Sequence, residues 1–417
     1  MIFKILMEPR DYQTDIATKA SNIIKQHGLV YLAMQVRTGK TVTALLTAEK
    51  MQAKKVLFVT KKKVIDGILA DHKALGVSFE IAVTNYEQLH NLKYEADLII
   101  VDEAHCLGQY PRPAIKVKIL KALCKGKPII YLSGTPTPES YSQMFHQMQI
   151  SSFSPFKDYI NFYKWAADYV DIKLKYFKGL KVNDYSNANQ IKIKTMTDHL
   201  IIPFTQAEAG FKQDVQEITV MIKMQPATYY LTDKLKKDRV FVGKDGNVVL
   251  ADTGAALMSK LHQCYTGTVI DEKKDGVIFD RSKVYWIKEN FKGKKIAIFY
   301  KYQAEEVMMQ LTFGYDKFTS DPKEFAESTD KWFLSQISSG REGINLSTAD
   351  ALIMLNIDFS AVSYWQARAR MQNKDREDAS KVYWLFAEGG IEEKIYKAVK
   401  DKKDYTLSYF KNDYGIE

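Results

Sequence analysis

Between Val30 and Pro138 the chain passes through short, unbroken apolar stretches, each closed by a polar turn. They are VYLAM (30–34), KVLFVT (55–60), FEIAVT (79–84), ADLIIVD (96–102) and PIIYLSGT (128–135). A strand with one wet face alternates apolar and polar residues, whereas an unbroken β-rich run is buried on both faces. Such runs, with helical patterns between several of them, predict a parallel sheet covered on both sides, hence a doubly wound α/β domain. Ligands of these sheets bind at the carboxyl ends of the strands. The polar stretches VRTGKT, TKKK, TNYE, DEAH and SGTP all fall at those ends.

The texture then changes. From Ser151 to about Gln263 aromatic and lysine-rich stretches such as FKDYINFYKWAADYVDIKLKYFKG read as helical, and Asp245-Gly246 in FVGKDGNVVL suggests a hairpin turn. Apolar runs return in KKIAIFY (294–300), WFLSQIS (332–338), ADALIMLN (349–356) and KVYWLFA (381–387). The expected organisation is therefore a first α/β lobe over 1–150, a mostly helical insertion over 151–265, and a second α/β lobe over 266–417.

The chain of 417 residues carries 60 Lys and Arg against 50 Asp and Glu, a net charge of +10. That excess favours a polyanionic partner, although scattered solvated lysines give the same total. No apolar run approaches the roughly 18 residues of a membrane span, so no membrane partner is expected. Cys106, Cys124 and Cys264 are odd in number and widely spaced, which fits neither a disulfide framework nor a zinc pattern. A reduced, cytoplasmic protein is the expectation.

LAMQVRTGKTVTALL (32–46) nearly matches a phosphate-binding loop. Gly39, Lys40 and Thr41 sit where G-K-T should, but Met34 occupies the leading glycine position. Alone, the stretch is either a nucleotide site or a lysine at a helix start. LIIVDEAH decides between them, since it ends an apolar strand with Asp102 and Glu103. Phosphoryl transfer needs a lysine and amides on the phosphates, a hydroxyl and a carboxylate on Mg²⁺, and a group to place water. Lys40, Thr41, Asp102 and Glu103 supply that set, with Glu103 as the base. ATP and Mg²⁺ are the expected ligands, with Thr41 and Asp102 on the metal and Thr38 and Gly39 in the phosphate loop.

These motifs, in this order, resemble the superfamily 2 helicases and, more closely, the Swi/Snf-type DNA translocases. RDYQ (10–13) resembles the upstream motif in which Gln13 meets adenine. VTKKKV (59–64) and VTNYEQL (83–89) resemble segments that meet a nucleic-acid backbone, which implicates Thr60, Lys61, Lys62, Thr84 and Tyr86. LSGTPTP (132–138) resembles the motif that couples hydrolysis to domain movement, through Ser133 and Thr135, with His105 linking it to the ATP site. SSGREGINLSTADALIMLN (338–356) resembles a second-lobe motif, which adds Ser338, Arg341 and Asn345 to the nucleic-acid contacts. YWQARARMQ (364–372) resembles the arginine-finger motif and contributes Gln366 and Arg370; GGIEEKIYKAVKDKKD (389–404) resembles the closing helix.

The resemblance implies two RecA-like lobes with ATP between them. It further implies a compact, monomeric ATP-dependent motor on double-stranded DNA, directed by an unidentified recruiting protein. Nucleoid association, or the host cytoplasm for a viral version, would follow. Two alternatives stay open: a strand-separating helicase on forks or RNA, and a nucleotide-gated DNA-binding module with little turnover. The latter is suggested because Asn373 stands where the family has a second finger arginine. Either Lys374 or Arg376 substitutes, or Arg370 acts alone, one helical turn beyond Gln366 on the same face. Arg368 should point elsewhere. The run Lys61-Lys62-Lys63 is either a solvated turn or a phosphate contact. The five tryptophans read as packing residues.

Overall fold

The computed structural model describes residues 7–92, 94–177, 180–211, 215–243, 246–340, 346, 348–371, 380–401 and 405–414. The chain divides into two compact units, Met1–Gly210 and Phe211–Glu417.

In the first unit, helix α1 (Asp11–His27) precedes β1 (Leu29–Met34), α2 (Lys40–Lys50), β2 (Lys55–Thr60), α3 (Ile65–Leu75) and β3 (Glu80–Asn85). β4 (Leu98–Val101), α4 (Ile115–Leu123), β5 (Ile129–Leu132), α5 (Met144–Met148) and α6 (Phe162–Tyr169) follow. A hairpin of β6 (Lys173–Phe177) and β7 (Leu180–Asp184) leads to β8 (Ile201–Phe204). Six of these strands form one parallel sheet in the order β3-β2-β4-β5-β1-β8. The unbroken apolar runs have the physical cause anticipated for them, because alternate residues of each strand feed two separate cores. Val30, Leu32 and Met34 pack with Ile16, Ile24 and Leu45 on one face. Leu29 and Tyr31 pack with Phe145, Phe156 and Trp165 on the other. Each fully buried side chain of this size contributes about 1.5–3 kcal/mol, so neither face tolerates a polar run.

One glycine sets the entry to the sheet. Gly28 closes α1 at φ 74°, its N–H bonded to Ile24 O at 2.7 Å. A Cβ there would lie 2.3 Å from the Phe153 ring, so a side chain is excluded both by conformation and by space.

The second unit begins with β9 (Gln216–Ile222). It contains two hairpins, β10 (Val240–Val242) with β11 (Val248–Leu250) and β12 (Thr268–Ile270) with β13 (Gly276–Ile278). β14 (Ile296–Tyr300), β15 (Phe318–Thr319), β16 (Trp332–Gln336), β17 (Ala351–Met354) and β18 (Lys381–Ala387) complete it. Its sheet is also six-stranded and parallel, in the order β15-β16-β14-β17-β18-β9. Two RecA-like, doubly wound lobes are thus present. Gly246 takes φ 78° at the turn of the first hairpin; Asp245 lies outside the described residues.

The stretch 151–265, expected to be a mostly helical insertion, is divided between the units and combines helices with strands. It holds helices Phe162–Tyr169, Gln190–Thr197, Pro226–Asp238 and Gly254–Cys264, but also β6 to β11. β8 and β9 are the outermost strands of the two sheets, each paired on one side only. An edge strand is open on one side and need not carry the continuous apolar signature, and Pro203 in β8 is tolerated for the same reason. All five tryptophans pack in the cores: Trp165 in the first unit, and Trp286, Trp332, Trp365 and Trp384 in the second.

Candidate nucleotide site

The loop Gln35–Gly39 leaves the carboxyl end of β1 and enters α2 at Lys40. Gly39 is the N-cap, at φ 80°. Its carbonyl accepts from Thr43 N at 3.0 Å, from Thr43 Oγ1 at 3.1 Å and from Gln13 Nε2 at 3.5 Å. A Cβ on Gly39 would sit 1.9 Å from Gln13 Nε2, so the glycine permits the close approach of α1 to the loop. Arg37 also has positive φ, 63°, a conformation rare outside glycine that clusters at ligand-binding turns. Burial lowers the Arg37 guanidinium to about 10.

The loop is braced from inside. Thr38 is fully buried and donates Oγ1 to Gln35 O at 2.7 Å. Lys40 Nζ donates to the same carbonyl at 3.3 Å. Tyr12 OH donates to Thr38 O at 3.2 Å, and its ring stacks on Phe204 with centroids 4.8 Å apart. Gln13 Oε1 accepts from Arg10 N at 2.9 Å, so the glutamine both caps α1 and touches the loop. The first amides of α2 have no intrahelical partner and favour an anion at its start. Thr41, in that first turn, is partly exposed.

Asp102 follows β4, separated from β1 by β5 alone. Its Oδ2 accepts from Thr60 Oγ1 at 2.8 Å and its Oδ1 from Glu103 N at 2.9 Å. The register explains the first contact: Val59 pairs with Val101, which sets Thr60 beside Asp102. Burial, and then the neighbouring Glu103 charge, push the Asp102 carboxyl up to about 6, against opposing contributions from Thr60 and Lys40. The effect of Lys40 places its ammonium within electrostatic range of this carboxylate. Tyr86 OH donates to Asp102 O.

Glu103 adopts φ 50°. Its Oε2 lies 3.2 Å from His105 Nδ1, which is also 2.9 Å from Ser133 Oγ. Ser133 Oγ accepts in turn from Thr135 N at 3.1 Å. One hydrogen-bonded chain therefore joins the ends of β4 and β5, bringing together His105, Ser133 and Thr135.

The remaining expected residues are dispersed. Thr60 and Tyr86 direct their side chains to Asp102 and are buried, so those side chains are not presented to a polymer outside. Thr84 is also buried. Lys62 and Lys63 are exposed, Lys61 is partly so, and Ser338 is exposed on the short helix Ile337–Gly340. Arg341, Asn345, Asn373, Lys374 and Arg376 lie outside the described residues.

In the second unit Gln366 is buried within helix Ala361–Arg368, and Arg370 is partly buried in a 3-10 turn, Ala369–Met371. Arg368 donates Nε to Glu217 Oε1 at 2.8 Å. Glu217 also accepts from Tyr364 OH at 2.7 Å, Trp384 Nε1 at 2.9 Å and Tyr396 OH at 3.2 Å. This carboxylate on β9 ties helix Ala361–Arg368 to β18 and to helix Glu392–Lys400.

Sequence reasoning missed three contributors. Glu217 carries no local motif. Gln206, beyond β8, donates N to Gln35 Oε1 at 2.8 Å and Nε2 to Val36 O at 3.0 Å, bracing the loop Gln35–Gly39 from a remote segment. The Thr60–Asp102 bond was accessible in principle by aligning the two strand ends.

No protein-family model matches the chain, and no curated protein matches it. Among solved structures it is similar to the Sulfolobus solfataricus SWI2/SNF2 ATPase core domain. The identity is 18%, 96% of this chain and 90% of the other are covered, and the TM-score is 0.43. Among the described residues, no helix is long and apolar enough to cross a membrane.

Proposed function

We propose that the chain is an ATP hydrolase that couples turnover to movement along double-stranded DNA. The observation that carries the reading is the convergence, at one sheet edge, of the Lys40–Thr41 helix start with the Asp102 carboxylate. The donor set fits Mg²⁺, which takes hard oxygens and is usually held by one or two carboxylates together with substrate phosphates. A buried carboxyl raised by desolvation and by Glu103 is suited to a cationic partner. Thr41 and Asp102 would hold the cation, which would neutralise developing negative charge.

Lys40 and the first amides of α2 bind and orient the β- and γ-phosphates. Glu103 holds the attacking water and accepts its proton. His105, bonded to Ser133, relays the state of Glu103 to the end of β5. Arg370 stabilises charge on the transferring phosphoryl group, the role of a finger arginine. The net charge of +10 and the exposed Lys62 and Lys63 support a polyanionic track bound through its backbone.

The decisive measurement is the ATPase rate with no nucleic acid, with duplex DNA, with single-stranded DNA and with RNA. Duplex DNA should stimulate most. No hydrolysis under any condition would reduce the chain to a nucleotide-gated binder, and preferential stimulation by RNA would overturn the DNA assignment.

A further inference from the structure

The first unit contains a cavity of about 280 Å³ that involves none of the nucleotide-site residues. It lies among the 111–113 segment, α4, α5 and the start of α6. Its floor is made by Val117, Phe145 and Phe162, all buried. At its rim stand Ile160, 92% exposed, and Tyr163, 47% exposed. Ile160 extends the apolar surface of the cavity mouth, and it is such contiguous apolar surface, not a single exposed side chain, that marks an interaction site. The charged lining residues are Arg112, Lys118 and Lys121, and no carboxylate lines the cavity.

We propose that this cavity receives an acidic segment of a partner protein, anchored by one large apolar or aromatic side chain. Size supports an anchor: small-molecule sites run to about 300–1,000 Å³, so this one suits a single bulky side chain. The floor is preformed. Phe162 stacks on Tyr110 at 5.8 Å and on His146 at 5.7 Å, and His146 Nε2 is bonded to Pro111 O at 3.1 Å. Lys121 is held by Gln149 Oε1 at 2.8 Å. A rigid pocket loses little entropy on binding. The three cations then select carboxylates flanking the anchor, as in other acidic-motif sites.

A nucleic-acid strand is disfavoured here for two reasons. Pro111 and Pro113 have no amide to offer a phosphate, and the walls are mostly apolar. Among the ring residues of the lining, only Tyr163 exposes much surface on which a base could stack.

The test is selection of a phage-displayed random dodecapeptide library on the full chain, followed by titration of the enriched sequences as synthetic peptides. A 12-nucleotide single strand is titrated in parallel. The expected peptides carry an aromatic or large aliphatic residue flanked by Asp or Glu, and lose affinity about tenfold or more on Ile160→Asp or Lys118→Glu. Both positions are exposed, and unchanged binding of an ATP analogue by the two variants confirms that they are folded. Failure to enrich any class, enrichment of peptides without acids, or binding indifferent to both substitutions would overturn the proposal. So would a loss confined to the oligonucleotide, which would make the cavity a nucleic-acid contact. None of these outcomes depends on whether the chain hydrolyses ATP.

Discussion

Thr60 donates its hydroxyl to Asp102 Oδ2 at 2.8 Å, and the bond joins the ends of two neighbouring strands. It opposes the desolvation that raises the Asp102 carboxyl. Thr60→Val keeps the shape and removes the donor. A buried acceptor deprived of its partner costs about 1–3 kcal/mol, and here that cost falls on the ionised form that a metal needs. The Mg²⁺ concentration for half-maximal ATP hydrolysis should therefore rise roughly tenfold, while Thr60→Ser stays near the parent. An unchanged Mg²⁺ requirement in the valine variant would show that Thr60 does not tune Asp102.

Glu103→Gln preserves size but cannot accept a proton. Loss of a positioned general base lowers turnover by about 10²–10⁴-fold, whereas ATP-analogue binding should hold. The paired measurement is single-turnover hydrolysis with equilibrium binding. Weakened binding with turnover barely changed would assign Glu103 to the metal and leave the base elsewhere.

The two sheets and their cores were legible in the sequence because burial on both faces imposes a local pattern of unbroken apolar runs. The placement of Lys40 and Thr41 at a helix start after β1, and of Asp102 just beyond β4, could be read without coordinates for that reason. Glu217, Gln206 and the strands β8 and β9 were not legible. Glu217 is one acidic residue in QEITVMI, and its four donors arrive from Tyr364, Arg368, Trp384 and Tyr396, far away in sequence. The helix end at Arg368 was not legible for a related reason. The sequence continues a helical pattern through Arg370, but the backbone tightens to a 3-10 turn after Arg368.

Glu217→Ala should be among the most damaging single changes in the second unit. It strands four donors, including the Arg368 guanidinium, and breaking a largely buried ion pair costs about 3–5 kcal/mol. Urea unfolding should show that loss. Glu217→Gln retains two acceptor lone pairs but no charge, and should fall between parent and alanine. Equal stability of alanine and parent would mean that the cluster is not under load.

His262 provides the pH dependence. Burial holds it well below its ordinary value of 6.5, with Lys301 and Lys283 adding in the same direction. The unfolded chain therefore binds the proton more readily than the folded one. The contribution is present above pH 6.5 and is lost as pH falls through the window below it. Glu305, raised by burial, acts oppositely, its contribution fading as pH rises above 4.5. Only a comparison of variants isolates the histidine. In His262→Gln, unfolding free energy should fall less steeply between pH 6.5 and 5 than in the parent. Parallel curves would remove His262 as the source.

The lysine run after β2 distinguishes a solvated turn from a polymer contact. Lys61 caps a short 3-10 turn, Lys62–Val64, and Lys62 and Lys63 are exposed within it. Each phosphate neutralised on duplex DNA contributes about 0.9 to the slope of log affinity against log salt. Replacing Lys61, Lys62 and Lys63 together by alanine should lower that slope by one to three such increments, with ATP-analogue binding unchanged. The reasoning depends on the slope and not on affinity at one salt concentration, because a distant change in net charge also weakens binding. Duplex binding that weakens uniformly, with the slope intact, would return the three lysines to an ordinary solvated turn.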